Sequence, residues 1–148
     1  MKKLLFFSMM CLMALTMSAQ KCAVLDFQLG TNVTAEEVEA ISYNFRTNFY
    51  PANYNVIEIE RVNKVIAGFG YNKTNMTKQQ LTEVGRKLEA KIMVVGTLNK
   101  FMDEYSVDVQ VIDVSTGVTI ASEGDTFQKS EYRREIKNIA QRLVYKLE

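Results

Sequence analysis

The chain has 148 residues, a near balance of 18 basic and 17 acidic side chains, and no histidine. That balance lacks the basic excess that phosphate neutralisation demands, so nucleic acid is not an expected partner. Without imidazole there is no histidine base and no histidine metal ligand, which removes many hydrolase and metalloenzyme designs.

Lys2 and Lys3 precede a mostly apolar run from Leu4 to Met17 that is too short to span a bilayer comfortably. Thr16-Met17-Ser18-Ala19-Gln20 then supplies small residues suited to a signal peptidase. A signal peptide over residues 1–19 is expected, with a retained signal anchor as the alternative. A periplasmic or secreted location follows. Cys11 sits behind Met10 and Cys22 behind Lys21, neither of them the small residue that precedes an acylated cysteine. No lipid anchor is therefore expected, and no transmembrane segment after the signal. Residues 20–148 read as one domain, large enough to fold without disulfide or metal. Cys22 reads as a small half-buried residue opening a strand, rather than as half of an intermolecular bridge.

Cys22-Ala23-Val24-Leu25-Asp26-Phe27 is a compact apolar run and predicts a first, buried strand. Gln28 to Val33 predicts a polar loop. Thr34-Ala35-Glu36-Glu37 spells a capping box, and the helix behind it places Val38, Ile41, Phe45 and Phe49 on one face until Pro51 stops it. Asn53 to Ile59 predicts a second strand, whose mixed Val56/Glu58 face suits a sheet edge. Val62, Val65, Ile66 and Phe69 then fall at helical spacing, ended by Gly68 and Gly70.

Thr77-Lys78-Gln79-Gln80 is a second capping box, opening a helix expected to run from Lys78 to Ala90. Gly85 in its interior costs about 1 kcal/mol against alanine, which suggests a close approach to the sheet. Ile92-Met93-Val94-Val95 has no alternation, so it predicts a strand covered on both faces. Asn99 to Glu104 reads as a hairpin connection. Tyr105, Val107, Val109 and Val111 alternate with polar residues, as in a half-buried antiparallel strand. Ser115-Thr116-Gly117 suits a three-residue turn with glycine left-handed. Val118 to Ser122 predicts a short last strand. Ser130 can cap a final helix striped by Ile136, Ile139, Ala140, Leu143, Val144 and Leu147.

Helical crossovers make the first three strands parallel, and two hairpins add an antiparallel pair. The fold class expected is three-layer α/β/α. Its mixed five-stranded sheet has the order 2-1-3-4-5, with strand four antiparallel.

Several phrases together resemble one superfamily. They are Ala23-Val24-Leu25-Asp26-Phe27, Tyr54-Asn55-Val56-Ile57-Glu58 leading into Glu60-Arg61-Val62, Val84 to Ala90 running into Val94-Val95-Gly96-Thr97-Leu98, and Val111 to Gly117. The chain resembles the periplasmic domain of the curli-secretion (CsgG-like) lipoproteins. It is also similar to the amino-terminal domain of TolB and to the outer-membrane activators of penicillin-binding proteins. The resemblance implies an anticodon-binding-domain-like fold, no catalysis, and docking onto envelope proteins or assembly into rings. The curli channel's acylated cysteine and membrane-inserted hairpins, TolB's propeller and the activators' anchored stalk have no expected counterpart here, so only the core carries over.

No catalytic, cofactor-binding or metal-binding set stands out. Asp26, at the carboxyl end of the first strand, is a possible polar group in a crevice at the sheet's switch point, where doubly wound sheets bind ligands. The blander expectation is a carboxylate bonded to loop amides. Gly68-Phe69-Gly70 follows a helix and lacks the Lys-Ser/Thr ending of a phosphate loop. Glu36 and Glu37 are explained by a helix amino end. Arg133, Arg134, Lys137, Arg142 and Lys146 give the last helix a basic flank, read as solvated, with anionic lipid or an acidic partner as the alternative. Asn32, Asn72 and Asn75 begin glycosylation sequons that turn and cap chemistry already explains. Phe69, Tyr71, Phe101 and Met102 lie in two loops and are candidate partner contacts, although Phe69 and Phe101 are expected to tuck beneath their own loops. The resulting expectation is an exported, non-enzymatic interaction module of the cell envelope, without cofactor, binding envelope proteins or copies of itself. The alternative is a small-ligand binder or cryptic enzyme using the crevice near Asp26.

Overall fold

The element that sets the architecture is the unbroken apolar run of the middle strand, and a computed structural model, which describes residues 19–148, shows how it is covered. The expected signal peptide lies outside the described residues but for Ala19. The elements are β1 (Gln20–Val24), β2 (Gln28–Leu29), α1 (Ala35–Arg46), β3 (Tyr54–Val56), α2 (Ile59–Gly68), α3 (Lys78–Lys87), β4 (Ile92–Phe101), β5 (Glu104–Asp113), β6 (Thr119–Gln128) and α4 (Tyr132–Leu147). A single 3₁₀ turn, Lys129–Glu131, leads into α4.

The sheet runs β3-β1-β4-β5-β6, which is the expected 2-1-3-4-5 order. β1 is parallel to β3 and β4, and β5 is antiparallel to β4 and β6. Ile92, Val94 and Leu98 of β4 pack beneath α1 and α4, together with Phe27, Phe45, Phe49 and Ile139. Met93, on the opposite face, packs beneath α2 and α3 with Val62, Ile66, Leu81 and Val84. Helices thus lie on both faces, because an apolar run without alternation leaves no face to water. Val95 is the one half-buried member of that run.

Local signals explain much of this. Both capping boxes form, Thr34 with Glu37 and Thr77 with Gln80. At Gly85 a Cβ would lie 3.0 Å from Val114 Cγ2 and 3.3 Å from Met93 Sδ, the close approach its helical cost implied. Gly117 is left-handed (φ 70°), and its N–H donates to the Asp113 carbonyl at 2.8 Å.

Several expectations need correction. A sixth strand, β2, pairs with β4 where a loop was expected; it is only two residues long and carries no periodic pattern. β1 ends at Val24, two residues before Asp26, although the Leu25 amide still donates to the Val94 carbonyl at 3.1 Å. β3 is short, and Ile59 already begins α2. α3 ends at Lys87, not at Ala90, because Glu89 takes a left-handed conformation (φ 56°) that closes the helix. Ser130 does not cap α4; it lies within the 3₁₀ turn, and Glu131 occupies the cap position without a side-chain bond.

β6 is also twice its expected length. As an edge strand it is exposed at most positions, so burial imposes no alternation on its sequence. Its free edge is interrupted at three places. Lys146 donates to the Ser122 carbonyl at 2.7 Å, Asp125 accepts the Thr126 N–H at 2.9 Å, and Ile120 sits in a bulge opposite the Val111/Ile112 step. On the α2–α3 side, Asp108, Gln110, Ser122, Gly124 and Thr126 leave the far half of the sheet polar and exposed.

Candidate functional site

Asp26 sits just past β1, where the chain leaves the middle of the sheet. It is 5 % exposed. Loop amides are not its partners. Arg46, in the last turn of α1, donates to one carboxylate oxygen, and Lys73 lies 3.5 Å from the other. Lys73 belongs to a loop strapped across the strand ends. Gln28 Nε2 donates to the Lys73 carbonyl at 3.0 Å, Gln28 Oε1 accepts the Met76 N–H at 2.7 Å, and the Leu29 N–H donates to the Thr74 carbonyl at 2.8 Å. Both Asp26 oxygens are therefore engaged by cations beneath a fixed loop.

The four aromatic and methionine candidates fall on two separate surfaces. Phe69 closes α2, is 41 % exposed, and stacks on Tyr71 with ring centroids 5.1 Å apart. Tyr71 in turn donates its hydroxyl to the Glu83 carboxylate on α3, so this pair is fastened to the helical layer. Phe101 and Met102 are not tucked under anything. They form the turn between β4 and β5, 70 % and 81 % exposed respectively. The turn is tighter than expected, because Phe101 pairs directly with Glu104 and only Met102 and Asp103 lie between. Met102 takes φ 54°, a left-handed conformation that costs a non-glycine residue roughly 1–2 kcal/mol. A strained residue with a large exposed apolar side chain is the kind of outlier that marks functional sites.

A groove of about 520 Å³ lies at the base of that turn, between the start of α1, the end of the β4–β5 ladder and the start of α4. Glu37 is its centre. Glu37 Oε1 accepts from Lys100 at 2.9 Å and Tyr105 at 2.9 Å, with Lys129 at 3.3 Å, while Oε2 accepts the Thr34 N–H at 2.9 Å. Burial works to raise its pKa, but donation from Lys100, the Thr34 amide, Tyr105 and Lys129 prevails and holds the carboxyl at about 2. Burial, and then the bond to Glu37, push the Tyr105 phenol well above its ordinary range. Only the cap role of Glu37 is written in local sequence. Lys100, Tyr105 and Lys129 are distant in the chain, and no spacing rule joins them.

The remaining candidates are accounted for by the fold. Arg142 and Lys146 reach Glu123 on β6 at 3.1 and 2.9 Å, and Arg134 pairs with Glu131 and Glu135, so much of the basic flank of α4 is used within the molecule. Cys22 is fully buried, and burial pushes its thiol up to about 12. Among the described residues, no three His, Cys, Asp or Glu side chains converge on a metal position, and no helix is long and apolar enough to cross a membrane.

A family model described as FlgO protein matches residues 38–132, from the first turn of α1 to the start of α4. No curated protein matches the chain. Among solved structures, the C-terminal domain of LpoB from Salmonella enterica is similar with a TM-score of 0.56 at 14 % identity, over 82 % of this chain and 91 % of that one. The lipoprotein GNA1162 from Neisseria meningitidis reaches 0.61 at 10 % identity, over 74 % and 80 %. TolB from Acinetobacter baumannii reaches 0.56 at 13 % identity, over 88 % of this chain but 28 % of the longer TolB. At such identities the likeness carries the fold and nothing finer. It agrees with the similarity to TolB read from the residues, while the family that matches is FlgO rather than the curli-secretion family.

Proposed function

The chain belongs to the FlgO protein family, and from that premise we propose that it is an exported, non-enzymatic interaction module of the cell envelope whose contact surface is the β4–β5 turn. The observation that carries this is the turn itself: Phe101 and Met102 stand in solvent on a rigid ladder, and Met102 is held left-handed. Large side chains of this kind, pre-positioned and exposed, are the usual anchors of protein interfaces.

Export is supported by the positive, then apolar, then small-residue order of residues 1–19. A structural neighbour named a lipoprotein agrees with an envelope setting. Cys22 is enclosed in β1 between two strands, which suits a strand residue better than an acyl anchor. The absence of catalysis is supported by how the acids are employed: Asp26 is held by two cations, and Glu37 by a full set of donors. The resemblances to curli-secretion lipoproteins and penicillin-binding-protein activators give the same reading at finer grain, a domain that docks onto other envelope proteins. A small-ligand site beside Asp26 has less support, since both carboxylate oxygens are already paired beneath the strapped loop.

Site-specific photocrosslinking tests the reading. A photoreactive phenylalanine analogue at Phe101 is expected to capture an envelope protein in living cells. The same group at Tyr50, another exposed aromatic, is expected to capture nothing. Equal labelling from both positions, or none from Phe101, would remove the turn from consideration.

A further inference from the structure

We propose that a trough on the α2–α3 side of the sheet binds a small zwitterion, an α-amino acid with an apolar side chain. The site is separate from the β4–β5 turn and from the crevice at Asp26. The trough, about 290 Å³, opens where the helical layer stops short of β5. Cover over β4 is incomplete there, which is why Val95 alone of the central run is half-buried. Met76 and Leu81 form its apolar wall, and Val95 and Ile112 its floor. An apolar lining with a few placed polar groups is the ordinary make-up of a ligand pocket, and such pockets begin near about 300 Å³. The trough stands at the low end of that range, so its ligand is of amino-acid size.

The polar groups select the ligand. Lys78, from the first turn of α3, and Asp108, from the middle of β5, both line the trough. Among the described residues neither has an ion-pair partner, and they do not pair with each other. Both are positioned by the fold. Lys78 follows a formed capping box, and the Asp108 carboxylate lies over Gly124, where a Cβ would come 2.7 Å from Oδ1. A lone cation is repelled by Lys78 and a lone anion by Asp108. A molecule with an ammonium and a carboxylate side by side satisfies both. Its ammonium faces Asp108, its carboxylate faces Lys78, and an apolar group on the same carbon lies over Val95 and Ile112. The two glutamines of the trough differ in role. Gln28 is engaged by the loop, through the Lys73 carbonyl and the Met76 N–H, and acts as wall. Gln110 accepts the Thr119 hydroxyl at Oε1, at 3.2 Å, which leaves its amide N–H groups to donate to the ligand carboxylate. Three different contacts to one chiral carbon make the trough selective for one enantiomer.

Titration of the purified protein with L-leucine and with D-leucine, followed by the amide NMR signals of Thr97 and Gln110, tests this. One enantiomer is expected to saturate with a Kd of about 1 mM or tighter, and its mirror image to bind about tenfold more weakly. The same enantiomer with its amine blocked (N-acetyl-leucine) or its carboxylate blocked (leucine amide) should bind about tenfold more weakly than leucine in each case. Lys78→Gln should weaken leucine binding about tenfold and leave leucine amide unchanged, since that probe has no carboxylate to lose. Asp108→Asn should weaken leucine binding to the same degree and leave N-acetyl-leucine unchanged. Lys78 and Asp108 are exposed, so both substitutions leave the fold intact. No saturation with either enantiomer, equal affinity for the two, or variants that weaken all the probes alike would overturn the inference. So would saturation that moves signals elsewhere and leaves those of Thr97 and Gln110 in place.

Discussion

Gly96→Ala puts one methyl group into a tightly packed place in the sheet, against a buried aromatic ring. A Cβ at Gly96 would sit 2.8 Å from Cδ1 and Cε1 of Phe27 and 2.9 Å from Cζ. Ordinary carbon contacts begin near 3.5 Å, so the ring must retreat by roughly 0.7 Å. It has nowhere to go. Phe27 is fully buried, its centroid is 5.5 Å from that of Phe45, and Phe45 stacks on Phe49 at 5.3 Å. Overpacking of this kind costs about 1–3 kcal/mol. Loss of a glycine from the unfolded chain returns about 0.4–1 kcal/mol. The expected net loss is about 1–2 kcal/mol. Urea denaturation should show a lower midpoint with an unchanged slope. Phe27→Leu in the Gly96→Ala background should cost less than it does alone, because the shorter side chain makes room for the methyl group. A Gly96→Ala protein as stable as the unaltered one would mean that the ring does not lean on β4 as described.

Val94→Asp should abolish cooperative folding, since it buries an unpaired carboxylate at the centre of the sheet; a normal melting curve would show the middle strand to be misplaced. The Glu37 carboxyl is held at about 2, below its ordinary 4.5, so its contribution to stability is complete above pH 4.5 and is lost as pH falls toward 2. Glu37→Gln should therefore lower stability at neutral pH and flatten the acid limb of a stability–pH profile, and an unchanged limb would contradict the donor set around Glu37. Met102→Gly should raise stability by about 1 kcal/mol by relieving the left-handed turn while weakening capture at that surface, a trade measured by melting and by crosslinking from Phe101.

The parts legible in the sequence are those that short-range chemistry controls. The capping boxes at Thr34 and Thr77, the cost of Gly85, the left-handed Gly117 and the unbroken run at Ile92 each carry their structural meaning within a few residues. Crossover and hairpin rules then order the sheet. Only half of β6 is legible, because an edge strand buries little on either side and Ser122 to Thr126 shows no period. β2 is not legible, because two residues cannot display one. The sequence places Phe101 beneath its loop on the general ground that apolar groups are covered. The pairing of Phe101 with Glu104, which shortens the loop to two residues, leaves no loop to cover it. The Glu37 hub was illegible for a different reason: its donors come from α1, β4, β5 and the turn before α4, and only the folded chain brings them to one oxygen.

The interrupted border of β6 has a consequence at high protein concentration. The Ser122 carbonyl and the Thr126 N–H are engaged by Lys146 and Asp125, and the bulge at Ile120 bends the ribbon out of register. A stray extended peptide, or the same border of a neighbouring molecule, finds an interrupted ladder to zip onto. High local concentration can then favour specific docking without inviting fibrous aggregation.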